Sequence, residues 1–216
     1  MMKYHVAMRY CGWLMIVYLL SGIGSAQEIG NSAIIQQNGN SNIAIVEQIG
    51  DGNSAVIQTD GKRHKVLVEQ NSDQGEKNAN SLEADISGEN NLVIAEQANQ
   101  GRGDLQNDGS IEQSGKDNSV ELFQHGATFS GSIFGNSAIV RQTGDSNTFR
   151  ADQTGSDNLV SLDQNGNSNF GDIVQNGQGL SVELVQNGNG LTQSITQTGC
   201  VIGSGCGTVI VTQSGN

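Results

Sequence analysis

Between Asn136 and Gly188 one unit recurs every 11 residues, and a fixed period of this kind restricts the chain to stacked repeats before any single residue is interpreted. The copies read NSAIVRQTG, NTFRADQTG, NLVSLDQNG, NFGDIVQNG and LSVELVQNG. Carried along the chain, the same register gives 15 half-repeats. They start at Asn31, Asn42, Asn53, His64, Asn80, Asn91, Asn107, Asn118, Asn136, Asn147, Asn158, Asn169, Leu180, Leu191 and Gly207. Inserts of five, five, seven and five residues interrupt the period near 75–79, 102–106, 129–135 and 202–206.

With the first residue of each unit at position zero, glutamine holds position six in 13 of 15 units, so most of the chain's 21 glutamines share one phase. These are Gln37, Gln48, Gln70, Gln97, Gln113, Gln124, Gln142, Gln153, Gln164, Gln175, Gln186, Gln197 and Gln213, with Thr59 and Ile86 as the departures. Glycine holds position eight equally often, and Gly39, Gly50, Gly144, Gly155, Gly166, Gly177, Gly188 and Gly199 are read as turn glycines. Position four is apolar in every unit and position two in 12, the others being Gly109, Gly171 and Gln193. Position five is mostly polar or charged, with Phe123, Val174 and Val185 as exceptions.

Alternation over six or seven residues describes a half-buried strand. The Gly and Asn that follow supply the backbone freedom of a tight turn. Each unit is therefore one strand and one turn, and the two aliphatic side chains it buries return less than ordering its backbone costs. No unit stands alone. The expected architecture is an all-β solenoid in which two strands make a rung of about 22 residues and rungs pile at roughly 4.8 Å, as in cross-β stacks. Position six then faces the interior, where one Gln amide can donate to and accept from the next rung. Position zero Asn is expected to do the same. A one-residue slip would turn both outward.

Residues 1–26 carry Lys3 and Arg9, an apolar run from Cys11 to Leu20, and Gly24-Ser25-Ala26. That order reads as a secretory signal cut after Ala26, since spanning a bilayer takes roughly 20 apolar residues. Residues 27–30 form a short segment, and 31–216 the repeat domain. Removing the leader takes away Trp13 and all three tyrosines, and it leaves eight Lys and Arg (10 minus 2) against 22 acids, a net charge of −14. Such an acidic chain has no footprint for nucleic acid or for an anionic membrane surface. Proline is absent throughout, as suits a chain whose backbone N–H groups are needed in a ladder.

The remaining features are weaker. Cys200 and Cys206 bracket the last insert, and either a small disulfide loop in an oxidising exterior or a free pair is compatible with that spacing. Asp152, Asp163, Asp172 and Glu183, like the turn acids Asp51, Asp145 and Asp157, admit two readings: solvated face residues, or gatekeepers that slow premature aggregation. Arg102-Gly103-Asp104 spells an adhesion-type tripeptide inside an insert, and His64 and His125 are read as solvated turn residues. No convergent acid–base set, metal-ligand spacing or cofactor motif is visible, and no catalysis is expected. Both terminal units keep their Gln and Gly, so neither end carries the polar cap of a soluble repeat protein.

The unit N-x-A-x-I-x-Q-x-G-x-x-N, as in Asn31 to Asn42 and Asn136 to Asn147, resembles the curlin repeat of curli fibre subunits. The resemblance covers most of the chain after the leader. It implies a cross-β, amyloid-like extracellular subunit that leaves the cell through a dedicated secretion channel and polymerises with itself after templating by a nucleator, in fibres that support adhesion and biofilm. The AIIQQNG strand type is similar to nucleator repeats as well, so major subunit and nucleator both stand. Only residues 27–30 precede the first unit, where the major subunit has a Gly-rich targeting segment. A soluble, non-polymerising solenoid adhesin is the alternative.

Overall fold

Strands alternate between two walls because each unit closes with a turn that reverses the chain. In a computed structural model the described residues are 5–9, 15–20, 30–72, 79–100, 105–127, 134–199 and 206–215. The strands are β1 (His5–Arg9), β2 (Met15–Leu20), β3 (Ser32–Asn40), β4 (Ile43–Ile49), β5 (Ser54–Lys62), β6 (Lys65–Ser72), β7 (Ala79–Glu89), β8 (Leu92–Gln100) and β9 (Gln106–Lys116). They continue as β10 (Ser119–Ala127), β11 (Ser137–Thr143), β12 (Thr148–Ser156), β13 (Leu159–Asn165), β14 (Phe170–Gln178), β15 (Ser181–Asn187), β16 (Thr192–Thr198) and β17 (Thr208–Ser214). The fold is all-β, and the 15 half-repeats correspond one to one with β3 to β17.

Odd-numbered strands form one sheet, in the order β1-β3-β5-β7-β9-β11-β13-β15-β17. Even-numbered strands form the facing sheet, from β2 at one end to β16 at the other. Every pairing is parallel, and position matches position: Val120, Phe149, Gly171 and Gln193 are successive Cα partners down one wall. Each strand thus crosses to the opposite wall before the chain returns one rung further on, which lets a parallel ladder form without a helical crossover. The stretch from His64 to Asn118, where inserts cluster, stays in this register through β6, β8 and β10.

All four inserts fall on the turns from the even to the odd sheet, after β6, β8, β10 and β16. The opposite turns keep one length. Most insert residues, including Arg102-Gly103-Asp104, lie outside the described ones, but the pairing on either side absorbs them: β9 meets β11 in register across a seven-residue insertion. The expected leader contributes β1 against β3 and β2 against β4, an extra rung at the N-terminal end. Its proposed cleavage site at Ala26 lies outside the described residues.

The interior is a single slab of positions two and four, from Ala33 and Ile35 to Val182 and Leu184. The structure explains the odd glycines at position two. A Cβ on Gly109 would lie 2.7 Å from Leu82 Cδ1, and one on Gly171 would lie 3.1 Å from Phe149 Cδ2. These glycines make room for the bulky residue of the rung before them.

Candidate functional site

Polar side chains line the slab on both flanks, at position six and position zero, and they are buried. In the even sheet Gln48 Nε2 donates to Gln70 Oε1 at 2.7 Å, and the chain of amides continues through Gln97, Gln124, Gln153 and Gln175 to Gln197 with spacings of 2.8 to 3.0 Å. In the odd sheet the ladder runs Gln113, Gln142, Gln164, Gln186, Gln213 at 2.7 to 2.8 Å. Apart from Gln197, whose Nε2 donates to the Gly207 carbonyl, each Nε2 also donates across the slab to the position-one carbonyl of the facing strand, as Gln70 does to Ser54 and Gln153 to Ser137. One amide therefore ties a rung to the next and one sheet to the other. Amides hydrogen-bonded in series polarise one another.

The ladders have a direction and a beginning. Within a ladder each Nε2 donates to the Oε1 of the higher-numbered rung, so the first residue of each ladder has an acceptor with nothing above it. Gln48 Oε1 and Gln113 Oε1 are those two atoms, and both are buried without a hydrogen-bond partner. Ile86 stands over Gln113 and explains the second. Gln37, expected to join the odd-sheet ladder, stands apart from it. Thr59 faces it on the next rung, and Gln37 Nε2 and Thr59 Oγ1 both lack partners.

The position-zero asparagines work differently from the expected amide-to-amide ladder. Their Oδ1 accepts the backbone N–H of the next rung's position zero, as Asn118 accepts from Asn147 at 2.9 Å. Their Nδ2 donates to the carbonyl four residues back and to the next rung's turn glycine, as Asn118 does to Ser114 and Gly144. The amide splices turn to turn through the main chain, with only occasional side-chain links such as Asn158 to Asn136.

His64 occupies one of these positions, and the structure corrects its reading as a solvated turn residue: it is fully buried. Its Nδ1 accepts from Asn91 N at 3.3 Å and its Nε2 lies 3.3 Å from the Asp60 carbonyl, four residues back. The neutral ring with hydrogen on Nε2 reproduces an asparagine amide, acceptor for acceptor and donor for donor. Burial pushes the imidazole below its ordinary value, against the opposing pull of the Asp60 and Gly88 carbonyls and the Asp60 charge. A proton on Nδ1 would face the Asn91 N–H. Because the folded value is the lower one, the stability His64 gives is complete above about pH 6.5 and is lost as pH falls below it. His64→Asn is expected to flatten the stability profile across that window. A denaturant midpoint measured between pH 7.5 and 5 checks it, and equal slopes for the two chains would count against it.

Other predicted residues are placed as follows. The turn glycines stack in columns, with Gly144, Gly166 and Gly188 in succession and Gly155 above Gly177. Cys206 is disulfide-bonded, and Cys200 lies outside the described residues. On the outer face Arg150 reaches Asp152 at 3.3 Å and Asp172 at 3.6 Å and lies 5.7 Å from the Phe123 ring centre, so two of the candidate gatekeeper acids are ion-paired. His125 pairs with Glu96 at 3.2 Å. Among the described residues no three His, Cys, Asp or Glu converge to hold a metal.

These geometries agree with what comparison finds. The sequence profile of the curlin associated repeat matches residues 30–61, 134–166 and 155–188. No curated protein and no solved structure matches the chain. The matched spans flank the region of three inserts and one ladder departure, Ile86, and the register of β3 to β17 joins them into one stack. Repeat unit, parallel register and in-phase glutamine coincide, and the chain is a member of the curlin-repeat family.

Proposed function

We propose that the chain is a secreted structural subunit that sheds residues 1–26 and polymerises end to end into extracellular curli-like amyloid fibres, which support adhesion and biofilm matrix at the cell surface. The observation that carries this is the unpaired edge of the described stack at β16 and β17, with a matching edge at β3 and β4 once the leader strands β1 and β2 are shed. Among the described residues β16 pairs only with β14 and β17 only with β15, so each leaves one backbone edge unpaired. The Gln ladders end there at Gln197, whose Nε2 donates to the Gly207 carbonyl, and Gln213, whose Nε2 donates to Thr192 O and Gln193 Oε1. An unpaired edge of this kind templates further strands. The family's role in curli fibres supports the same reading, as do its expected partners, a nucleator or major subunit and a secretion channel. The net charge argues against nucleic acid and anionic membrane as partners.

Residues 27–216 diluted from denaturant are expected to assemble after a lag that preformed fibres abolish, with diffraction spacings near 4.8 and 10 Å. A chain that stays monomeric for days at high concentration would overturn the reading and favour a soluble adhesin.

A further inference from the structure

Among the described residues the repeat domain has an odd number of strands, β3 to β17. Of the nine strands in the odd sheet, eight remain once β1 is set aside, and of the eight in the even sheet, seven remain without β2. Within residues 27–216 the described stack therefore begins on a full rung, β3 with β4, and its last described strand, β17, makes half of one. β17 has no strand facing it, and its residues are open on both sides. Ile210 is 64% exposed, and Val209 and Val211 are only partly covered by the core.

A second copy can add to this end in two ways. If it keeps the same orientation, its β3 pairs with β17, and its β4 then sits above β16 with a whole strand position vacant between them. Both those strands lose their backbone partners there. If instead it is turned by half a turn about the stack axis, its β3 pairs with β16 and its β4 with β17, and no position is vacant.

Hydrocarbon does not choose between them. In the register every other pair obeys, Ile210 meets Ile34 in the first case and Ile45 in the second. The ladder does choose. Gln48 is fully buried and its Oε1 has no donor; in the structure its neighbour in register is Leu19 of the leader, which has none to give. The half turn places Gln213 of the preceding copy directly over Gln48, where its Nε2 exchanges the 3.3 Å bond it makes to Gln193 Oε1 for one to Gln48 Oε1 and keeps its bond to the Thr192 carbonyl. The same step sets Gln197 over Gln37. In the unturned arrangement Gln48 faces the vacant position and stays unpaired.

We propose that successive subunits in the fibre alternate by half a turn, each copy's β4 pairing with the preceding copy's β17 and its β3 with β16, so that the odd sheet of one subunit runs into the even sheet of the next. The proposal rests on the polymerisation reading above. At about 4.8 Å per rung, 7.5 rungs give a rise of about 36 Å per subunit and an axial repeat of about 72 Å over two; the unturned stack repeats every eight rungs, about 38 Å.

Two double variants of residues 27–216 test it. Adjacent strands hold paired Cα atoms about 4.8 Å apart, within reach of a disulfide. Fibres of Glu47→Cys/Thr212→Cys, oxidised and run on a non-reducing denaturing gel, are expected to give a ladder of covalent multimers, whereas Gln36→Cys/Thr212→Cys fibres stay monomeric like the unaltered chain. The reverse pattern, or fibres with no ladder in either variant, overturns the half turn while leaving polymerisation intact. Helical reconstruction of unaltered fibres gives an answer independent of both variants, since a 38 Å repeat also overturns it. Absence of any fibre from the unaltered chain overturns the polymer reading itself.

Discussion

Phe149→Ala is expected to destabilise the stack by about 3–5 kcal/mol, the range for deleting a buried aromatic ring. Phe149 is fully buried and is the largest side chain in the slab. Its rung neighbours are Val120 on one side and Gly171 on the other, and the ring leans into the space the glycine leaves. Backbone ladders above and below hold the walls at a fixed spacing, so the site cannot collapse around the alanine. The measurement is the denaturant midpoint of assembled protein, and a loss under about 1 kcal/mol would show that the walls close after all. A second arm tests the pairing with Gly171. Gly171→Ala alone overpacks against Phe149 and Leu184, at a cost of about 1–3 kcal/mol. In the Phe149→Ala background the same methyl group fills vacated space, so the two changes are expected to be non-additive.

That pairing illustrates which parts of the structure were legible in the sequence. Strands, walls and buried glutamines follow from an 11-residue period with alternating polarity, because alternation assigns a face and the period assigns a register. Gly171 looked like a lapse in the apolar pattern. It is a complement to Phe149, visible only once residues 22 apart are seen to touch. His64 failed for a similar reason: a histidine at an asparagine position reads as exposed until its two ring nitrogens are matched to the two atoms of the amide it replaces.

Turn geometry was the other gap. In the sequence the Gly and Asn after each strand mark the turn's backbone freedom, whereas the structure also needs left-handed backbone at position ten. Ser41, Arg63, Asn90, Asp117, Ser146, Asp157 and Ser168 all adopt it, with φ between 56 and 60°. Mixed residue types at that position hide the requirement. Where position ten is occupied by Gly52, Gly179 or Gly190, the need is met without strain. The departures Thr59 and Ile86 were equally visible as letters, but their consequence was not. Both fall in the odd sheet, so one ladder starts three strands late, at β9 instead of β3, while the other runs from β4 to β16.

Gly166→Ala is expected to have a much larger effect than Gly190→Ala, a methyl group added to the same kind of turn, which supplies its control. Both glycines have positive φ, 128° and 66°. A Cβ at Gly190 meets nothing within 4 Å, so that change carries the backbone cost alone, about 1–2 kcal/mol. A Cβ at Gly166 would lie 1.9 Å from the Gly188 carbonyl oxygen, and the Gly144 methyl position would meet Gly166's own carbonyl at 2.1 Å. Those are main-chain atoms held in the ladder, and no side-chain rotation relieves them. The rungs must separate locally, which stretches the Gln142–Gln164–Gln186 chain and the Asn147 and Asn169 splices on the same turns. Gly166→Ala is therefore expected to lose several times the stability that Gly190→Ala loses and to slow seeded growth, with both read on the same preparations. Equal losses for the two variants would mean that the column of glycines serves backbone conformation alone and that rung spacing is set elsewhere.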